Sequence, residues 1–294
     1  MKIKELFAQK RTVLSLEVFP PKLNSPVEVI YQTLEELKDV HPDFISVTYG
    51  AGGQAKDRTV EIAAKIKREY GIESLAHLTC ISSTQEEVNQ NLQYLTSHQI
   101  ENVLALRGDV PEDPDFVLPD PLQYEHASDL VREIREKGGF SIGAACYPEG
   151  HVGSKNRIQD IKHLRHKVDQ GVDFLITQLF FDNEVFFRYM DELDLAGIHV
   201  PVSAGIMPVL NKNQILRITK LSGCEIPKKF QRILDRYEHD PASLKEAGEA
   251  YAIGQIIDLL AWGVSGIHLY TMNRSDTAQR IMSSIDNIRK THSS

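Results

Sequence analysis

Cysteine is scarce in this chain of 294 residues: only Cys80, Cys146 and Cys224 occur. They are odd in number, far apart and without Cys-x-x-Cys spacing, which speaks against a disulfide framework and against a structural zinc site. A reduced, cytoplasmic protein is expected. No apolar run approaches the length of a membrane-crossing helix. The opening Met-Lys-Ile-Lys-Glu-Leu-Phe-Ala-Gln-Lys-Arg holds no apolar stretch long enough for a signal peptide. Positive charge is also short. Against 41 Asp and Glu stand 33 Lys and Arg, for a net charge of −8, which argues against nucleic acid as a partner. An anionic ligand would therefore need local cations. No linker or low-complexity tract divides the chain, so residues 1–294 are read as one domain, long enough to bury a sizeable core.

Eight strand-like runs are present, rich in β-branched and apolar residues. They fall at 13–19, 44–49, 74–79, 102–107, 140–147, 173–180, 200–206 and 266–271. Helical spacing appears between them at 27–38, 58–69, 85–97, 127–136, 158–169, 184–196 and 212–221. Ser25 and Pro26 read as the start of the first of these, and Gly71, Gly171 and Gly197 as left-handed caps closing others. A longer insert, with helices expected at 227–235 and 241–262, precedes the last strand; 275–289 closes the chain. Strand and helix alternating eight times imply parallel pairing through right-handed crossovers. The expected fold is α/β, a (β/α)8 TIM barrel. An open doubly wound sheet is the alternative, but no Gly-x-Gly-x-x-Gly follows a strand, so the usual dinucleotide fingerprint is missing.

In a barrel the chemistry gathers at the C-terminal strand ends. Those ends carry Glu17, Thr48, Tyr49, His77, Arg107, Gly108, Asp109, Tyr147, Glu149, Gln178, Met207 and Tyr270. Glu17 stands out, a carboxylate inside Val-Leu-Ser-Leu-Glu-Val-Phe that Pro20 and Pro21 terminate. Buried there, it must be paired, protonated or at work; on an edge strand it would simply face water. No lysine lies in a strand core, which disfavours Schiff-base chemistry. No nucleophile elbow is present. His77, Asp109 and Glu149 could serve a metal-dependent hydrolase or lyase, but they lack a local ligand motif, and no metal is expected. His163 and His166, three apart on a helix, read from spacing alone as a solvated face.

Ten short motifs resemble the methylenetetrahydrofolate reductase family, in its bacterial single-domain form. They are Glu17-Val-Phe-Pro-Pro21, Ser46-Val-Thr-Tyr-Gly50, His77-Leu-Thr-Cys80, Ala105-Leu-Arg-Gly-Asp109, Ala127-Ser-Asp-Leu130, Ala145-Cys-Tyr-Pro-Glu149, Lys167-Val-Asp169, Thr177-Gln178, Gly205-Ile-Met-Pro208 and Tyr270-Thr-Met-Asn-Arg274. They span nearly the whole chain in the family's order.

The resemblance implies a barrel with non-covalent FAD at the C-terminal rim. It implies reduction of 5,10-methylenetetrahydrofolate to 5-methyltetrahydrofolate, with NADH or NADPH as the transient hydride donor. Glu17 would be the general acid, because an apolar strand raises a carboxylic acid's pKa. Asp109 would hold the pterin and stabilise the cation formed on ring opening. Flavin contacts would fall on Thr48, Tyr49, Ala51, His77, Arg107, Gly108, Asp109, His126, Ala127, Tyr147, His151, Asp160, His163, Arg165, His166 and Lys167. Lys167 and Arg165 would meet the phosphate or adenosine side. Substrate contacts would fall on Thr48, Asp109, Gln178, Gln214, Tyr270 and Arg274. A homo-oligomer is expected, and no control by S-adenosylmethionine. The chain departs from some members in having His126 for Tyr, His163 for Asn, and Ile218 for an aromatic. Ile218 leaves open whether the donor is NADH, NADPH or an electron-donor partner protein.

Overall fold

The N-terminal ends of the strands build the apolar floor of this protein. In the computed structural model, which describes residues 1–21, 25–49, 55–110 and 116–292, eight parallel strands close into a barrel. They are β1 (Val13–Val18), β2 (Phe44–Val47), β3 (Glu73–Thr79), β4 (Asn102–Leu106), β5 (Ser141–Cys146), β6 (Phe174–Thr177), β7 (Val202–Ile206) and β8 (Gly266–Tyr270). They pair in sequence order, and β8 returns beside β1 with Ser15 opposite His268 and Glu17 opposite Tyr270.

The helices are α1 (Ile3–Gln9), α2 (Glu28–Leu37), α3 (Ala55–Tyr70), α4 (Gln85–Ser97), α5 (Ala127–Lys137), α6 (Arg157–Asp169) and α7 (Asn183–Leu195). They continue as α8 (Lys212–Ser222), α9 (Lys228–Tyr237), α10 (Pro241–Trp262), α11 (Ser275–Ser284) and α12 (Asp286–His292). The expected barrel and its eight strands are present.

Alternation along each strand sends every second residue inward. The lowest inward layer holds Val13, Phe44, Leu75, Leu104 and Phe174, a cluster that also includes Ile3 and Leu6 of α1. Helix α1, seven residues long and not expected from the sequence, plugs the bottom of the barrel. Its first free N–H groups are met by neighbours: Ile3 N donates to Asn102 Oδ1 at 2.7 Å and Lys4 N to Ser141 Oγ at 3.2 Å. Above the floor the inward residues turn polar, with Ser15 and Glu17 from β1, Ser46 from β2, His77 from β3 and His268 from β8, all buried.

A second apolar cluster lies over one side of the mouth. It joins Leu179 and Phe181 beyond β6, Met207 and Val209 beyond β7, Ile215 of α8, and Phe230 and Leu234 of α9. The expected strand 173–180 therefore ends early, at Thr177. Leu179 and Phe180 are apolar because they pack, not because they pair. The expected Ser25–Pro26 helix start also fails: α2 begins at Glu28 after Val27, with no side-chain cap. The expected 275–289 helix breaks at Ile285 into α11 and α12. The glycine caps hold, with φ of 65° at Gly71, 116° at Gly171 and 71° at Gly197.

Candidate active site at the barrel mouth

Glu17 is 6% exposed and sits between two imidazoles. His268 Nε2 lies 3.3 Å from Glu17 Oε2, and His77 Nε2 lies 3.5 Å from the same oxygen. Each ring has its own serine: His268 Nδ1 is 2.7 Å from Ser15 Oγ, and His77 Nε2 is 2.6 Å from Ser46 Oγ. Burial pushes the His77 pKa down to about 4, a neighbouring Glu17 charge raising it and His268 lowering it further. His77 is therefore neutral at pH 7, and its contact with Glu17 is not an ion pair. The edge-strand reading of Glu17 is overturned, since β1 pairs on both sides and the residue points into the barrel.

His268 is the functional candidate that the sequence reading missed. It is fully buried, yet within Gly-Ile-His-Leu-Tyr it looks like any strand residue. The available signal was alternation: Ser15 and Glu17 share one face of β1, as His268 and Tyr270 share one face of β8. Tyr270 packs edge-on against His268 at 5.1 Å, and its hydroxyl donates to Thr177 O at 2.7 Å. A β-carbon on Gly205 would stand 2.4 Å from Thr177 O and 2.7 Å from the Tyr270 ring, so only glycine leaves room for that tyrosine.

Beyond β4, β5 and α6 lies a cavity of about 190 Å³. Arg107, His126, Ala127, Tyr147, His151, Asp160, His163, His166 and Lys167 line it. Gly108 enters the adjoining turn with φ of 77°, and a β-carbon there would meet Thr79 Cβ at 2.8 Å, so the turn requires glycine. Lys167 Nζ donates to Ala145 O at 2.6 Å, and burial lowers its pKa. Burial likewise lowers the pKa of His151 and raises that of Tyr147 to about 12. His163 and His166 are both exposed, as the solvated-face reading has them, and both also border this cavity.

Arg165 does not join them. Its guanidinium turns to Asp169, Ala196 O and Gly197 O, on the flank of α6 away from the cavity. Arg165 is two residues from both His163 and Lys167, about 200° round the helix from each, so it cannot share their face.

Thr48 and Tyr49 lie just past β2, half-buried, with Thr48 O accepting from Thr59 Oγ1 at 3.0 Å. Asp109 is exposed past β4. Ala51 lies outside the described residues. Gln178 spends its side-chain oxygen on the next residue's backbone, accepting from Leu179 N at 2.9 Å.

A second opening, of about 520 Å³, is lined by Met207, Gln214, Ile215, Ile218, Met272 and Arg274, among others. Arg274 Nε sits 3.6 Å from Asp276 Oδ1. No group of three or more His, Cys, Asp or Glu among the described residues is arranged to hold a metal. His77, Asp109 and Glu149 thus do not form the metal set considered above. No helix among the described residues is long and apolar enough to cross a membrane.

The methylenetetrahydrofolate reductase family model matches residues 2–286. The chain belongs to the methylenetetrahydrofolate reductase family. It is 34% identical over 276 residues to a 5,10-methylenetetrahydrofolate reductase of Pectobacterium carotovorum subsp. carotovorum, covering 93% of this chain and 90% of that one. It is 35% identical over 268 residues to the Escherichia coli (strain K12) protein of the same name, covering 91% and 88%. Against methylenetetrahydrofolate reductase (NADH) 1 of Arabidopsis thaliana the identity is 34% over 292 residues, which is 96% of this chain but 49% of the plant one. The chain thus spans nearly all of these bacterial reductases and about half of the plant reductase. An uncharacterised Clostridium thermocellum protein, described as binding two copies of 5-methyl-5,6,7,8-tetrahydrofolic acid, shares the fold. Its TM-score is 0.68 at 13% identity, covering 98% of this chain and all of that one.

Proposed function

We propose that this chain reduces 5,10-methylenetetrahydrofolate to 5-methyltetrahydrofolate in one-carbon metabolism, as one catalytic barrel holding non-covalent FAD and drawing on NADH or NADPH. Membership of the reductase family supports the reaction. The observation that carries the site is Glu17, a carboxylate held in the barrel between two imidazoles.

The lining of the cavity beyond β4, β5 and α6 suits a flavin nucleotide. Lys167 brings a partly desolvated cation whose one hydrogen bond among the described residues is to a carbonyl, and a diphosphate would complete it. Arg107 and the histidines add donors along the same wall, and Gly108 lets a ligand approach the backbone. Bound there, the flavin supplies the hydride. The protein's own groups do the rest. Glu17 carries the proton that must reach the bridging nitrogen of the folate before its five-membered ring can open. Asp109, at the end of β4, binds the pterin and offsets positive charge formed on opening. Gln214 and Arg274 border the larger opening, where Arg274 supplies the local cation that an acidic protein needs for an anionic folate.

The three described cysteines are free and buried, which supports a reducing, cytoplasmic setting.

The test is anaerobic mixing of purified protein with NADH and NADPH separately. The protein should be yellow, bleach with a nicotinamide nucleotide, and recolour on adding methylenetetrahydrofolate. A colourless protein that takes up no flavin overturns the reading. A yellow protein that neither nucleotide bleaches replaces the nucleotide donor with a partner protein.

A further inference from the structure

Glu149 has no part in the chemistry above. It lies just beyond β5, and its carboxylate reaches the turn that follows α8. Oε2 accepts from Glu225 N at 2.7 Å, and Oε1 lies 3.3 Å from Cys224 Sγ, the thiol donating. One side chain thus satisfies two donors of that turn. The same two segments meet a second time. Gly223, with φ of 73°, caps α8 against the loop after β5, where an added β-carbon would lie 2.7 Å from Val152 Cγ1.

These segments wall different cavities. Tyr147 and His151, either side of Glu149, border the cofactor cavity. Helix α8 carries Gln214 and Ile218 into the larger opening. We propose that Glu149 is a positioning residue that ties the two cavities together, setting α8 and its substrate wall against the loop that walls the cofactor. The identities of the two ligands rest on the proposed function.

A carboxylate suits this task because both its oxygens only accept. Glutamine would turn an amide donor toward one of the two donors, and alanine would leave both unpaired.

The experiment compares holoenzymes of Glu149→Ala and Glu149→Gln with wild type. In the alanine variant the KM for methylenetetrahydrofolate should rise about tenfold, the order expected for losing a hydrogen bond to a charged acceptor. The glutamine variant should fall between. Saturating kcat, and FAD affinity from fluorescence titration of the stripped protein, should stay within about twofold, because α8, the segment the tie releases, lines the larger opening and not the cofactor cavity. Alkylation of Cys224, mapped by mass spectrometry, should accelerate as the turn loosens.

Faster Cys224 alkylation with an unchanged KM overturns the proposal. So does a parallel loss of kcat, KM and flavin binding, which marks a general structural defect. If the alanine variant does not fold, the glutamine variant carries the same readouts. A wild type without folate turnover overturns the function and this role together; a normal wild type beside an unaltered variant KM overturns the role alone.

Discussion

Glu17 and His268 stand 251 residues apart in sequence and 3.3 Å apart in the barrel. Closure of β8 against β1 makes the contact, and the Ser15 hydroxyl on the far ring nitrogen holds the imidazole in place. The carboxylate is therefore oriented from below before any ligand arrives.

Replacement of Glu17 by glutamine keeps the shape and removes the acid. Flavin reduction by the nicotinamide nucleotide should persist, while methylenetetrahydrofolate reduction should fall by about 10²–10⁴-fold, the usual worth of a positioned acid. Stopped-flow measurement of the two half-reactions separates these effects. Folate turnover near the wild-type rate would remove Glu17 from the chemistry.

Ser15→Ala should act through His268. Without its hydroxyl partner the ring loses the hydrogen bond that fixes which nitrogen faces Glu17. The folate half-reaction should slow and its pH profile shift, with nucleotide-driven flavin reduction unchanged. An unshifted profile would show that the serine only fills space.

Lys167→Met keeps much of the side-chain volume and removes the cation. Flavin affinity of the stripped protein should drop by about tenfold or more, the worth of a charge-assisted contact. Fluorescence titration with FAD reads this directly. Stability without flavin should hold or improve, since the variant no longer desolvates a charge; thermal unfolding of the stripped protein checks this.

His77 links stability to pH. Its imidazole titrates at 6.5 in the reference state and at about 4 in the fold, chiefly through burial. Between those values the unfolded chain binds more protons than the folded one, so stability rises with pH. The contribution, up to about 3 kcal/mol, is complete above pH 6.5 and lost as the pH falls toward 4. Urea unfolding across that window should show the slope, and His77→Gln should flatten it. Equal slopes in the two proteins would contradict the buried, neutral imidazole.

Much of this was legible from local pattern. Each of the eight strands starts and ends within two residues of its expected place, except β6, which ends three residues early. Leu179 and Phe180 extended the expected β6 because apolar character marks burial and does not distinguish a ladder from the cap beyond it. Helix α1 escaped notice because seven residues hold too few turns for a period to stand out. Its apolar face makes sense only against Phe174 and the barrel floor. The family resemblance put Arg165 with His163 and Lys167, whereas the helical turn sends its guanidinium to the opposite flank.

By itself the sequence determined the repeating strand and helix, the polar character of the strand ends and the motifs that mark the family. All of these are set by residues close along the chain. Tertiary structure decided which polar groups meet. It placed His77 and His268 on either side of Glu17, divided the cavity beyond β4 and β5 from the larger opening, and brought Glu149 to the end of α8. Those pairings depend on barrel closure and strand register, which no local stretch encodes.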